Sequence, residues 1–358
     1  MRTMRVLILP ILVVACGDDS SSSGGSGGSN SSSSTSTSVS SGAGGGTTEL
    51  DIVAYSTQDD RPVLLSDGAV PVFALYESFT APTTTRILEI PLPTGPQRDI
   101  ARFEGHAGLV ADAPAGVLFT TWSNGVPSGI ARATTADEAP IPIDVPEGAH
   151  DEFSIIGFGT GRVAFRTQLA DGAHVMTTDE QGGSSLDLGR AAEGFPPGAI
   201  HNSLFFVAEQ DGNPTIVGAD LPDGEPTFVA DVDASLVAIA TYLDEVYWLD
   251  IDGAGTLWRA TQDGGAPESI WTGAAMPLLA VDDDGVYVVA LDASGSAIVT
   301  SLPRTGGPAA SLSPPLDAVS SMVVGGGNVY VVTDVELPDP RSQAITVQSC
   351  VVRFPKKP

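Results

Sequence analysis

The side chains best equipped for chemistry fall at regular places. Arg61, His106, His150, Asp151, Glu152 and Glu193 each stand 10–13 residues before an apolar β run, the runs beginning at Val72, Val117, Val163 and Leu204. If each run is the second strand of a repeated unit, these residues gather where the first strands begin, around one mouth. Imidazoles and carboxylates converging on a concave mouth suit ligand binding, metal binding or acid–base work. Solvated turns at a channel end carry the same residue types. The matching positions before Val246, Val286 and Val329 hold Ser235, Ala275 and Ala318, so only half of such a ring would be titratable.

Other candidates are fewer. "DIDGAG" at 250–255 and "VDDDG" at 281–285 cluster carboxylates as a hard cation requires, which makes Asp250 and Asp252 candidate calcium ligands. Neither stretch has the full alternating carboxylate spacing or the distal glutamate, and the turn chemistry of Asp and Gly accounts for both equally. No other cofactor is indicated. Cys350 lies in the apolar β pattern "ITVQSCVVRF" and reads as a buried, inert thiol. His174 and His201 read as strand and turn residues without a role. The sequence lacks nucleophile-elbow, phosphate-loop, dinucleotide, HExxH and paired-cysteine patterns, so no catalytic residue is assigned.

Repetition positions these residues. The seven strong apolar runs begin at Val72, Val117, Val163, Leu204, Val246, Val286 and Val329, at spacings of 45, 46, 41, 42, 40 and 43 residues. Short runs of Val, Ile, Thr and aromatics between Gly, Pro and Asp turns, at a period of about 40–45, match a four-stranded propeller blade. No window sustains a helical period. One unit shows the logic. "PLLAV" is an inner strand, "DDDG" a turn, "VYVVAL" a strand buried on both faces, "AIVTSL" a third strand, and "PAASLS" a weak outer one. The expected fold class is all-β, a β-propeller of seven four-stranded blades, with six or eight also compatible with the period. A ring of blades needs similar shapes in every unit, not identical letters.

The last unit lacks a convincing outer strand, while "ELDIVAYST" at 49–57 is β-like and precedes the first unit's own inner strand, "PVLLS". The two ends are expected to pair and so remove an open edge. Two connections on the titratable face are long, "YESFTAPTTTR" at 76–86 and "DVELPDPRSQA" at 334–344. They would rise side by side across the closure. Tyr76, Phe79, Glu336, Asp339 and Arg341 are the candidate binding anchors on them.

Two stretches resemble known families. "VYWLDIDGAGTLWRATQDGG" at 246–265 resembles the YWTD repeat of low-density-lipoprotein-receptor-type propellers, with Tyr247, Trp248 and Asp250 in the motif and Leu249 in place of its threonine. Leu257, Arg259, Asp263 and Gly264 match the residues that follow it. The resemblance implies a propeller; that family has six blades and mostly binds proteins. At the N-terminus, Arg2 and Arg5 precede the apolar run "VLILPILVVA" and the junction "VVACGDD". This resembles the lipobox of bacterial lipoproteins. It implies cleavage before Cys16, a diacylglyceryl group on its thiol and an acylated amino terminus. In that family an aspartate directly after the cysteine favours the inner membrane. Gly17 stands there, so the outer membrane is favoured.

Residues 20–48 are uncharged Ser, Gly and Thr with almost nothing apolar, the composition of a flexible tether. The expected organisation is a signal peptide at 1–15, the lipidated cysteine and tether at 16–48, and a propeller at 49–358. With 44 acidic and 16 basic residues the formal charge is −28, which repels phosphate backbones and argues against a nucleic-acid partner. The favoured function is a membrane-tethered, monomeric, extracytoplasmic binding or interaction module of the cell envelope, with a protein, small-molecule or glycan ligand. The alternatives are a lactonase-like or lyase-like propeller enzyme using the channel mouth, and a structural subunit of an outer-membrane assembly.

Overall fold

The computed structural model describes residues 37–40 and 49–356, apart from connections at 56–59, 67–71, 79–82, 92–97, 106, 114–115, 124–125, 135–138, 146–148, 223 and 339–344. Every element described is a strand, and every strand pair is antiparallel. The first described strands are β1 (Thr37–Ser40) and β2 (Glu49–Tyr55). Six consecutive four-stranded blades follow. Blade one is β3 (Asp60–Ser66), β4 (Val72–Ser78), β5 (Thr84–Ile90) and β6 (Arg98–Glu104). Blade two is β7 (Ala107–Ala113), β8 (Gly116–Ser123), β9 (Val126–Ala133) and β10 (Ile141–Ile143). Blade three is β11 (His150–Gly159), β12 (Arg162–Leu169), β13 (Gly172–Asp179) and β14 (Leu186–Arg190). Blade four is β15 (Ala199–Ile200), β16 (Ser203–Gln210), β17 (Asn213–Asp220) and β18 (Thr227–Asp231). Blade five is β19 (Leu236–Tyr242), β20 (Glu245–Asp252), β21 (Ala254–Thr261) and β22 (Glu268–Gly273). Blade six is β23 (Ala275–Val281), β24 (Val286–Leu291), β25 (Ala297–Leu302) and β26 (Ala310–Ser311). Blade seven combines β27 (Asp317–Gly325), β28 (Asn328–Pro338) and β29 (Ile345–Pro355) with β2 as fourth strand and β1 as fifth.

The first strand of each blade packs on the first strand of the next: β3 on β7, then β11, β15, β19, β23, β27 and back to β3. The protein is a closed, seven-bladed β-propeller. Its core lies between the blades, in seven apolar clusters that occupy the seven blade interfaces. The period of two along the second strands explains why those runs are apolar at nearly every position. Val329 and Val331 face Tyr287, Val289 and Val299 of blade six. Their alternates Tyr330 and Val332 face Val72, Ala74 and Tyr76 of blade one. Each such side chain, fully buried, stabilises by about 1.5–3 kcal/mol.

Closure follows the expected pairing. β2 joins β29 with Asp51 opposite Arg353, Ile52 opposite Val352 and Ala54 opposite Val351. Ile52 enters the interface between blades six and seven, Ala54 that between seven and one. Arg353 donates from Nε and Nη2 to Asp51 Oδ2 at 2.8 and 2.6 Å. β1 falls within the residues assigned to the tether. "TSVS" has the β-branched residues to extend the exposed edge of β2, and Thr37 lies opposite Ile52, Ser40 opposite Glu49.

Candidate functional site

With the strands of a blade lettered A to D from the channel outward, the ring has two faces. The A–B and C–D turns share one. The B–C turns and the D–A connections share the other, and it is here that strands A begin. Arg61 falls at the start of β3, and His150, Asp151 and Glu152 at the start of β11, so their backbones lie at this B–C face. Glu193 is exposed in the connection from blade three to blade four. His106, Phe79, Asp339, Arg341 and Cys16 lie outside the described residues.

Tyr76 is not a loop anchor. It belongs to β4, is 1% exposed, and packs between blades seven and one with the Arg86 guanidinium 4.7 Å above its ring. A strand buried on both faces gives no change of pattern where it ends, so "VFALYE" runs on through "S" before turning. The connection after β4 is correspondingly short, residues 79–83. The second long stretch begins as strand, residues 334–338 belonging to β28, and 339–344 lie outside the described residues. β28 and β29 stay paired out to Pro338 opposite Ile345, forming a two-stranded arm on the B–C face of blade seven, with Glu336 exposed on it.

Carboxylates stand on both faces of blades five to seven, but the described cations stand on one. Their described basic side chains are Arg259, Arg304, Arg353 and Lys356, and all four stand at the A–B face, at or beyond the ends of strands C. The B–C face of these blades carries Asp233, Asp250, Asp252, Asp292, Asp317, Asp334 and Glu336, and no described Arg, Lys or His.

Two of these cations, Arg304 and Lys356, and the neutral Gln262 form a repeated inter-blade clasp, while Arg259 and Arg353 pair within their own blades. Val246, Val286 and Val329 pair with Ala260, Leu302 and Phe354, and two residues beyond those partners stand Gln262, Arg304 and Lys356. Each reaches the preceding blade. Gln262 Nε2 donates to Asp220 at 2.8 Å, and Ser203 Oγ donates to the same carboxylate. Arg304 lies 3.5 Å from Glu245 and 4.6 Å above the Tyr242 ring. Lys356 pairs with Asp282 and stands 3.6 Å from Asp284. Burial alone would raise the Glu245 carboxyl. Hydrogen bonds from Tyr247 and Arg259, with the charges of Arg259 and Arg304, outweigh it and hold the group below its ordinary value. Burial and the adjacent Glu245 in turn keep the Tyr247 phenol protonated far above its ordinary range.

Asp282, Asp283 and Asp284 form the one group of three metal-competent side chains within 4.8 Å among the described residues, and Lys356 already supplies it with a cation. Asp250 and Asp252 do not join such a group. Asp250 is half-buried beside Trp248 and Trp258. Burial, then the charge of Asp233, push its carboxyl up to about 6, against the opposing effect of the two indoles. Asp233 itself is held below its ordinary value by hydrogen bonds from Ser235.

Two residues turn out differently placed from their sequence reading or match it closely. His174, given no role, is buried in β13 with Nε2 3.1 Å from Asp171 and Nδ1 3.0 Å from Asp187, a clamp between the B–C turn and strand D of blade three. Their spacing carries no motif, and only the blade register brings them together. Cys350 is buried as expected, and burial, then Asp334, push its thiol up to about 12.

The chain matches no known family model and no curated protein. Solved structures share its fold. It aligns with the β-propeller domain of the Trilobed protease from Pyrococcus furiosus, a domain with an open velcro topology, at 13% identity and a TM-score of 0.53, covering 83% of this chain and 95% of that one. It aligns with a puromycin-hydrolyzing peptidase of Mycobacterium tuberculosis at 14% identity and a TM-score of 0.59, covering 84% of this chain. The match spans about half of that peptidase, 52% of its length. A prolyl endopeptidase aligns at 12% identity and a TM-score of 0.55, with 50% of its length covered. At these identities the likeness is one of fold.

Proposed function

We propose that the chain is an extracytoplasmic lipoprotein whose propeller binds a partner through its B–C face. A lipid on Cys16 anchors it, in the outer membrane because Gly17 follows the cysteine, and the Ser/Gly-rich stretch holds the propeller away from the bilayer. Several acyl chains on one residue give firm anchoring, each buried CH2 contributing about 0.8 kcal/mol. The observation that carries the binding reading is the placement of the cations. In blades five to seven the described cations are all used on the A–B face, which leaves the B–C face acidic. Connections on that face also vary most in length, the usual place for recognition on a rigid scaffold. Membrane fractionation of cells expressing Cys16→Ser tests the anchor. The variant is expected in the soluble extracytoplasmic fraction, still folded. Its persistence in the membrane pellet would remove the anchor from the account.

A further inference from the structure

We propose that the B–C face of blades five to seven docks a basic, extended polypeptide segment of a partner protein. The inference rests on the reading of the chain as a binding module and specifies its partner.

Two independent features point to this occupant. The first is charge complementarity. Asp233, Asp252, Asp292, Asp317 and Glu336 stand on turns, strand ends and the arm of this face, and no described cation of these blades shares it. Screening acts over about 8 Å at physiological ionic strength, so carboxylates spread over neighbouring blades act together only on a ligand carrying several positive charges. A chain of Lys and Arg is such a ligand, and steering would speed its encounter.

The second feature is the arm. β27 follows β28 only as far as Asp334, and β2 follows β29 only as far as Cys350. Beyond those residues β28 and β29 continue for four further pairs, from Val335 opposite Gln348 to Pro338 opposite Ile345, and among the described strands they pair only with each other. Four pairs extend about 13 Å. An edge that continues past its sheet presents main-chain groups to an incoming strand, the mode by which extended peptides add to a sheet. Val347, 59% exposed, offers this strand an apolar contact. A small cation would use the carboxylates and ignore the edge; a polypeptide uses both.

Fluorescence anisotropy of a labelled decapeptide of alternating Lys and Val, titrated with the full chain in detergent at 50 and 300 mM NaCl, tests the proposal. The matched Glu–Val peptide is the control ligand. Three variants are compared. Asp252→Asn/Asp292→Asn/Glu336→Gln removes three charges from this face. Asp244→Asn/Asp263→Asn/Asp283→Asn removes three from exposed turns of the other face. The third joins Asp334 to Ser349 through an Asn-Gly turn in place of residues 335–348. The first variant is expected to bind at least fivefold more weakly than the parent at 50 mM NaCl, and the second within twofold of it. Loss of the arm is expected to abolish the binding that persists at 300 mM NaCl. Equal weakening by the two charge variants, equal binding of the Glu–Val peptide, or undiminished binding without the arm would overturn the proposal. If the arm variant does not fold, the charge variants alone decide. Absence of Lys–Val binding, together with capture of an envelope protein that the A–B-face variant loses, would end this inference and leave the binding-module reading standing.

Discussion

The two faces of blades five to seven are built from the same strands and put to opposite uses. On the A–B face, Gln262, Arg304 and Lys356 stand at one position of the repeat, and each fastens its blade to the one before. On the B–C face the turns differ in length and the carboxylates have no described cation of these blades beside them. A ring of blades must hold its angular spacing somewhere, and here one face does so. The other is thereby free to vary in turn length, in charge and in the arm of blade seven. Repetition on one face is what allows divergence on the other.

The most severe way to break this contrast is to open the ring. Deleting residues 49–55 removes the fourth strand of blade seven, the Asp51–Arg353 pair and the buried Ile52 and Ala54. The expected cost is about 3–5 kcal/mol, and the melting temperature should fall by roughly 10 °C. Deleting residues 20–36 should leave it within about 1 °C, since a Ser/Gly-rich sequence has almost no apolar side chain to bury. Calorimetry on both deletions checks this, and similar melting of the two would contradict the closure.

A smaller effect sharpens the B–C face. Asp250 has a folded pKa of about 6, above the roughly 3.9 of an unfolded chain, so the native state binds the extra proton. Stability therefore falls as pH rises from about 4 to 6, and the full penalty stands at neutral pH. Asp250→Asn is expected to stabilise by about 1–2 kcal/mol at pH 7.5, discounted for partial solvent access, and to change nothing at pH 4. Chemical denaturation at the two pH values measures it. A gain that is the same at both would show that the carboxylate's charge is not the cause.

Much of this architecture is legible in the sequence, and the rest is hidden for physical reasons. The apolar runs counted from Val72 to Val329 each begin within one residue of the start of a second strand, because a strand buried on both faces leaves the strongest composition signal. The pairing of β2 with β29 follows from a missing outer strand at one end and a spare one at the other. Tyr76 misleads for the same reason that "VFALYE" is easy to find: a doubly buried strand does not mark its own end. The clasp escapes notice because Gln, Arg and Lys share no letter, only a place two residues past the partners of Val246, Val286 and Val329. The candidate mouth is legible only as a set of backbone positions, since its members come from separate units that the sequence does not orient.

The melting temperatures of two matched variants test most directly whether the faces divide their labour. Glu245→Gln/Asp282→Asn removes two negative charges from the clasps, leaving Arg304 without Glu245 and Lys356 with only Asp284, 3.6 Å away. Asp252→Asn/Asp292→Asn removes two from the B–C face and keeps at residue 292 the side-chain oxygen that accepts from Ser294 and Ser296. The first is expected to melt about 5 °C lower than the parent, each partly buried pair being worth about 1 kcal/mol. The second is expected to melt at the parent temperature or about 1 °C above it, as like charges are relieved. Equal losses in the two variants, or a larger loss in the second, would contradict the account.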